Sequence, residues 1–456
     1  MILTEARATL ALALPIVGTQ LAQIAIHTTD VLMLARLSDH ALAVGALAFA
    51  LFSFFWMLGI GLAIGVAPIA SHAIGYDIAD RASVRDAVQD GLLVSLGFTV
   101  VTALLLWFCE PFLVWFGQPA ELIPDTMLLL RLLSASLLPM LGISVLRAFT
   151  ASLSRPQPAM VLMIFAVGLN ALLVYSLTFG AFGLPALGIA GAGLGSVLAN
   201  WIVFLVFAVY VAREGQFGAY RLWHRPWQAL RRSSLRRLIA YLRIAGPIAL
   251  TFGSEVGLFS LAAQLMGRLG AAEVAAHQIA LQWASISFMV PMGLAQAATV
   301  RVGLAVGARD HAGAARAGWI AIALSVGFMA MMALVFARAG APLIALFVTD
   351  RASPVFALAV SYLAIAAMFQ LVDGAQAVSN GALRGLKDMT VPMIFAAIGY
   401  WGAGLPAAIW LGFYTPLRGE GVWIGLVVGL AVSAVLLVWR FAFWARRLRR
   451  MQERQA

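Results

Sequence analysis

The stretch 13-ALPIVG-18 comes back as 245-AGPIAL-250, 232 residues further along the chain. The same offset carries Arg36-Leu37 onto Arg268-Leu269, Gly61-Leu62-Ala63 onto Gly293-Leu294-Ala295, and Gly75 onto Gly307. Later, Pro158 meets Pro392 at an offset of 234, and 191-GAGLG-195 meets 421-GVWIG-425 at 230. Small residues at matched places fit close helix packing. The chain therefore reads as two copies of one unit.

Composition says what each copy is made of. Of 456 residues, 63% are hydrophobic and 11% charged, against about 45–50% and 25% in a soluble domain. A bilayer-crossing helix needs about 20 mostly apolar residues. Twelve runs qualify, at about 10–35, 42–74, 87–109, 123–149, 158–179, 188–212, 244–267, 274–306, 315–337, 354–383, 391–412 and 420–444. The first follows Arg7 and imitates a secretory signal. It is long, lacks a clear cleavage site and recurs inside the chain, so it is read as a membrane helix. Each copy holds six helices, an even number, so the two share one orientation about an axis along the membrane normal. The expected fold is an all-α polytopic membrane protein of two six-helix lobes. The lobes span 1–212 and 244–446, with a basic linker at 213–243 and a basic tail at 447–456.

Lysine and arginine set the expected orientation. With the N-terminus inside, inner segments carry 24 of the 30 basic residues and outer segments 6. Both termini are then cytoplasmic. The net charge of +11 finds its partner in anionic lipid heads rather than in nucleic acid. The linker holds Trp223, Trp227 and paired arginines, and reads either as an amphipathic interfacial segment or as a solvated basic connection. A single cysteine, Cys109, excludes an internal disulfide framework and a cysteine-rich metal site. The six histidines are scattered. No G-x-x-x-x-G-K-[ST] run offers an ATP site.

Asp30, Glu255 and Asp373 interrupt the apolar spans. An ionised side chain at a helix centre costs about 2.5–3.5 kcal/mol on insertion scales, and such residues face a cavity or the bundle interior. All basic residues are placed near span ends, so no basic partner is expected at membrane depth. Burial favours the neutral form of a carboxyl, which suits a proton carrier; oxygen-rich surroundings would equally suit Na⁺. Under the repeat, Glu255 corresponds to Gln23, Asp30 to Ala262 and Asp373 to Pro139. The acids are therefore not packing features common to both copies. Glu255 and Asp373 suggest one ion site in the second half, and Asp30 a separate point in the first.

The chain resembles the MATE (multidrug and toxic compound extrusion) transporters, in their NorM-like branch, over nearly its full length. The stretches that carry the likeness are 28-TTDVLMLARL-37, 152-SLSRPQPAM-160, 169-LNALLVYSLTFGAFGLPALGIAGAG-193, 255-EVGLFS-260, 275-AAHQIALQWASISFMVP-291, 297-AATVRVG-303 and 383-LRGLKDMTVPM-393. The resemblance implies the two-lobed MATE fold and a second-half cation site at Glu255 and Asp373, with Na⁺ or H⁺ as coupling ion and no cofactor. It adds Asp350 near the start of helix 10, and Phe369, an aromatic one turn before Asp373 whose face attracts cations. It ties Asp30 to protonation or to cationic drug, places Asn170 where a polar residue of helix 5 faces that lobe, and places Gln278 where a helix-8 glutamine contacts drug in related proteins. The DinF branch keeps its proton site wholly in the first half. Here helix 5 continues with Val174, Tyr175 and Ser176 and no acid, which favours NorM-type coupling. His27 and Ser196 receive no role.

Trp283, Phe288, Met289 and Met292, with Phe54, Phe55 and Trp56 on the equivalent helix, suit a poorly selective pocket, since methionine and aromatic surfaces adapt to varied ligands. They equally suit a lipid-facing belt. The expected function is secondary antiport. A monomeric chain in a bacterial inner membrane exports organic cations and other amphipathic compounds against Na⁺ or H⁺ by alternating access. A lipid-linked oligosaccharide flippase of the same superfamily is the alternative. It would hold pyrophosphate with basic residues, whereas the buried charges expected here are acidic. An intramembrane enzyme lacks any convincing Ser/His/Asp or His cluster, and a channel fits poorly with a lone site in one half.

Overall fold

The computed structural model describes residues 2–223 and 235–453, and the described residues are helical without a strand. Twelve helices are long and apolar enough to cross a bilayer: α1 (Ile2–Leu37), α2 (Asp39–Tyr76), α3 (Arg81–Trp107), α4 (Ile123–Ser152), α5 (Gln157–Phe179), α6 (Ile189–Arg213), α7 (Leu235–Leu269), α8 (Ala271–Gly307), α9 (His311–Ile344), α10 (Pro354–Gly385), α11 (Thr390–Phe413) and α12 (Arg418–Glu453). The chain is a multi-pass membrane protein with the expected helix count. Several helices outrun their apolar spans. α1 begins at Ile2, and α12 continues through the arginine-rich residues that patterning placed in a tail. Arginine is a good helix former, so a helix does not stop where its apolar stripe does.

The repeat shows in the turns. Ser38 alone separates α1 from α2 and caps it, its hydroxyl accepting from Ala41 N at 3.0 Å. Gly270, 232 residues later, alone separates α7 from α8, and its φ of 144° is a conformation only glycine adopts without strain.

The chain divides into two compact units. One comprises Gly18–Ala70 and Ile78–Ala249; the other comprises Met1–Val17, Ser71–Asp77 and Leu250–Ala456. The chain changes unit at Val17/Gly18 and again at Ala249/Leu250, positions matched under the offset of 232. Each crossing falls just after the shared proline.

In the first unit the opening of α7 packs on α2 at Gly61, where an added Cβ would lie 2.7 Å from Ala249 N. Tyr241 donates to Leu62 O at 2.7 Å, and Arg237 pairs with Asp90 at 2.7 Å and Asp86 at 3.0 Å. In the second unit the opening of α1 packs on α8 at Gly293, where a Cβ would lie 3.1 Å from Val17 N. Glu5 there pairs with Arg301 at 2.6 Å. Of the linker, Trp227 lies outside the described residues, while Trp223 donates to Ala208 O of α6 at 3.2 Å.

Candidate functional site

On α10, Gln370, Asp373 and Gln376 fall three residues apart and share a buried face. The Gln370 amide donates to Ser287 Oγ of α8. The Gln376 amide donates to the Tyr400 hydroxyl of α11 at 2.6 Å. Both amide oxygens, and Asp373 Oδ1 between them, are enclosed without a hydrogen-bond donor. Buried acceptors left unpaired are costly. Each is the kind of hard oxygen acceptor that a small cation or a proton relieves.

Glu255 reaches this group from α7. It is half-buried and close enough to Asp373 and to Tyr400 to act on both electrostatically. Arg384, on the last turn of α10, acts on Glu255 in turn and lies over the Phe252 ring at 5.1 Å. The structure thus corrects two expectations. A basic residue does accompany Glu255, and the enclosed charges are not all acidic, because Arg147 of α4 also turns inward. The reason lies in helix geometry. Both arginines lie near the C-terminal ends of their helices, and helical side chains tilt toward the helix N-terminus. Their guanidinium groups are therefore carried back along the span.

Tyr400 is the member of this set that sequence patterning missed. It sits in a π-helical stretch, Ile398–Gly404, within α11, and such wide turns recur at functional sites. Glycines allow the wide turn to press on α12: a Cβ on Gly399 would lie 2.6 Å from Gly429 O. Phe369, one turn before Asp373, is buried with ring-edge contacts to Phe259 and Trp423, both at 6.0 Å.

The other expected residues are not gathered here. Asp350 is exposed in the loop before α10, its carboxylate accepting from Ala352 N at 2.9 Å. At about 1.5 Å of rise per residue, Asp373 lies roughly 29 Å along the helix from Pro354. Gln278 is exposed on α8. Its neighbour His277 is the buried one, edge-on to Trp423 at 5.4 Å. Trp283 packs into the apolar core of its unit and meets Phe347 at 5.9 Å. Phe288 and Met292 are half-buried further along α8, and Phe55 is half-buried on α2, edge-on to Phe54 at 5.5 Å. Glu273, in the first turn of α8, was missed as well. It is buried, held by the Tyr362 hydroxyl and by Arg418 at 3.2 Å.

In the other unit, Asp30 on α1 is buried with both carboxylate oxygens engaged. Asn170 Nδ2 of α5 donates to Oδ1 at 2.7 Å, and Ser196 Oγ of α6 donates to Oδ2 at 3.2 Å. Ser196 reaches it because α6 lies against α5 through glycine: a Cβ on Gly195 would sit 2.7 Å from Val174 Cα. His27, one turn before Asp30, instead meets the Phe49 ring edge-on at 5.1 Å.

A family model described as MatE matches residues 15–176 and 247–410, one match to each copy of the repeat. A "Probable multidrug resistance protein NorM" of Mesorhizobium japonicum is 46% identical over 450 residues, which is 97% of this chain and 94% of that protein. A protein of the same name from Rhizobium meliloti is 41% identical over 448 residues, covering 98% and 95%. Among solved structures, a eukaryotic MATE transporter superposes with a TM-score of 0.86 at 22% identity, over 99% of each chain.

Proposed function

The chain belongs to the MatE family, and from that premise we propose that it is a secondary multidrug efflux antiporter of a bacterial inner membrane. It exports organic cations and other amphipathic compounds in exchange for Na⁺ or H⁺, by alternating access, as a monomer with both termini cytoplasmic. It needs no cofactor and catalyses no reaction. The relatives named for multidrug resistance support the substrate class, and the arginine bias supports the orientation. The lobes are 1–212 and 244–446, joined by the basic linker 213–243 and followed by the tail 447–456.

The observation that carries this reading is the charge count around Glu255, which interacts with Asp373 and with Arg384. Glu255 and Asp373, both ionised, bring two negative charges, and Arg384 returns one positive. One further monovalent cation, Na⁺ or H⁺, neutralises the set. Asp373 Oδ1 and the Gln376 amide oxygen, both without a donor, are the acceptors offered to it. Asp350, exposed before α10, collects cations ahead of the site, and Phe369 walls it. Asp30, with Asn170 and Ser196, forms the second protonatable point, which meets cationic substrate; Gln278, Phe288, Met292, Trp283 and Phe55 contribute to substrate contact.

One elementary charge moving down 100 mV supplies about 2.3 kcal/mol. At about 1.4 kcal/mol per tenfold, this sustains a gradient of roughly forty-fold for a neutral substrate. The flippase alternative requires several cations to hold pyrophosphate. Arg147 is one such group, whereas Arg384 is offset by Glu255.

Export of ethidium from proteoliposomes, under an imposed Na⁺ gradient or an imposed pH gradient, tests the proposal. One gradient should drive export in the natural protein and fail to do so in Asp373→Asn. Normal gradient-driven export by the variant would make Asp373 structural and shift the coupling to Asp30.

A further inference from the structure

Arg147 and Arg384 stand in similar places on repeat-matched helices, although their separation of 237 residues is three more than the offset of 234 that relates Pro158 to Pro392. Each follows a leucine near the end of its helix, α4 or α10, and each reaches the same turn of a repeat-matched helix. Arg147 Nη2 donates to Thr19 Oγ1 at 2.6 Å and to Gln20 Oε1 at 2.5 Å on α1. Arg384 lies over Phe252 on α7, and Phe252 is the match of Gln20 at the offset of 232. Their electrostatic settings differ. Arg384 has Glu255 beside it. The residue matching Glu255 in the first copy is Gln23, which carries no charge. Among the described residues no carboxylate pairs with Arg147. Asp30 is ten residues past Gln20 on α1, about 15 Å away along the helix.

An enclosed cation without an anion is costly. The guanidinium also retains capacity to bind. Both of its hydrogen bonds leave from Nη2, and Nε and Nη1 carry three further N–H donors. Arg147 is half-buried rather than fully enclosed, so part of the side chain remains open to an incoming oxygen. The residues around Arg147, from Leu141 to Leu146 and from Ala148 to Ser152, are all buried. A planar guanidinium fork matches the geometry of a carboxylate or a phosphate.

We propose that Arg147, positioned by Thr19 and Gln20, is an oxyanion-binding site in the unit that also holds Asp30. It takes the carboxylate of an amphipathic compound or the phosphate of a lipid headgroup, the anion that Glu255 replaces in the other copy. This goes beyond the cation chemistry proposed above, and binding rather than export is measured, so either idea can fail alone.

The test uses the full chain in nanodiscs of phosphatidylcholine and two dyes that differ only at one group. Rhodamine 110 has a free carboxylate, and rhodamine 123 is its methyl ester. Fluorescence anisotropy gives the Kd of each. A charge-assisted hydrogen bond predicts that Arg147→Gln weakens rhodamine 110 by about tenfold or more and leaves the ester essentially unchanged. Gln23→Glu, which restores an internal anion with Arg147 intact, should produce the same selective loss, and it decides the matter if Arg147→Gln does not fold. Phosphatidylglycerol titrated into the discs identifies the source. Competition with rhodamine 110 assigns the site to a headgroup phosphate, and absence of competition assigns it to a substrate carboxylate. Equal weakening of both dyes, or of neither, in both variants overturns the proposal.

Discussion

Replacing Arg384 by glutamine removes the one positive charge beside Glu255 and leaves the shape of the side chain largely intact. The group around Asp373 then holds two carboxylates and no compensating cation. At an effective dielectric constant of about 20, two unit charges 4 Å apart interact by about 4 kcal/mol. Arg384 makes no ion pair with Glu255 among those within 4 Å, so about half of that, roughly 2 kcal/mol, is a reasonable share. A coupling cation should therefore bind about thirty-fold more tightly to Arg384→Gln than to the natural protein. Tighter cation binding slows cation release. Export turnover should fall even as the cation concentration for half-maximal substrate displacement falls. Loss of the stacking on Phe252 removes a further ~1 kcal/mol of stability, which a melting curve would register separately. The assay is displacement of a bound fluorescent cation by Na⁺ or by acid, repeated with Arg384→Lys, which keeps the charge. Unchanged or weaker displacement in Arg384→Gln would refute the charge count on which the ion site rests.

Other substitutions test the neighbouring geometry. Asn170→Ala should weaken binding of a cationic substrate by about 1–2 kcal/mol, and Ser196→Ala by less, because its bond to Asp30 is longer at 3.2 Å than the 2.7 Å of Asn170; titration of a fluorescent cation ranks the two. Gly399→Ala drives a methyl group against Gly429 O and should lower stability by about 1–3 kcal/mol, seen as a lower melting temperature, while Gly97→Ala, with open space around it, should not. Arg237→Gln leaves the buried Asp90 carboxylate without its partner, at a cost of about 1–3 kcal/mol. The exposed pair His40–Asp125, with both side chains 43% accessible, should contribute less than 1 kcal/mol when broken by His40→Gln; comparison of melting temperatures checks both.

Much of this was legible in the sequence for definite reasons. Asp30, Glu255 and Asp373 announced themselves because a carboxyl in an apolar run has a cost that must be met somewhere. The helix count and the duplication were legible because bilayer thickness sets a minimum span and matched glycines mark close packing. Ser196 was not legible, since an isolated serine in a helix is ordinary until glycine contacts bring α6 against α5. Tyr400 depends on a π-helical turn that has no strong sequence signature. Arg147, Arg384 and Glu273 lie near helix ends, where charge is expected at a membrane surface, and only side-chain direction shows that they turn inward.

The duplication also left one ambiguity that no offset resolves. Gly61 and Gly293 each need a close neighbour just past the shared proline, and a repeat supplies two, Val17 and Ala249. Packing of Gly61 on Val17 and of Gly293 on Ala249 would keep each copy to itself, and matches the sequence pattern equally well. The structure takes the other choice, Gly61 on Ala249 and Gly293 on Val17. Exchange of an equivalent element between copies has little energetic cost, because the contacts are of the same kind either way. The ion pairs favour the observed arrangement. Arg237, at the start of α7, meets Asp86 and Asp90, whereas its counterpart Glu5, at the start of α1, meets Arg301. Were the two helix starts to trade places, Glu5 would face the two aspartates and Arg237 would face an arginine. The opposite signs at these matched positions therefore specify which copy each helix start joins, a distinction that the apolar repeat alone does not make.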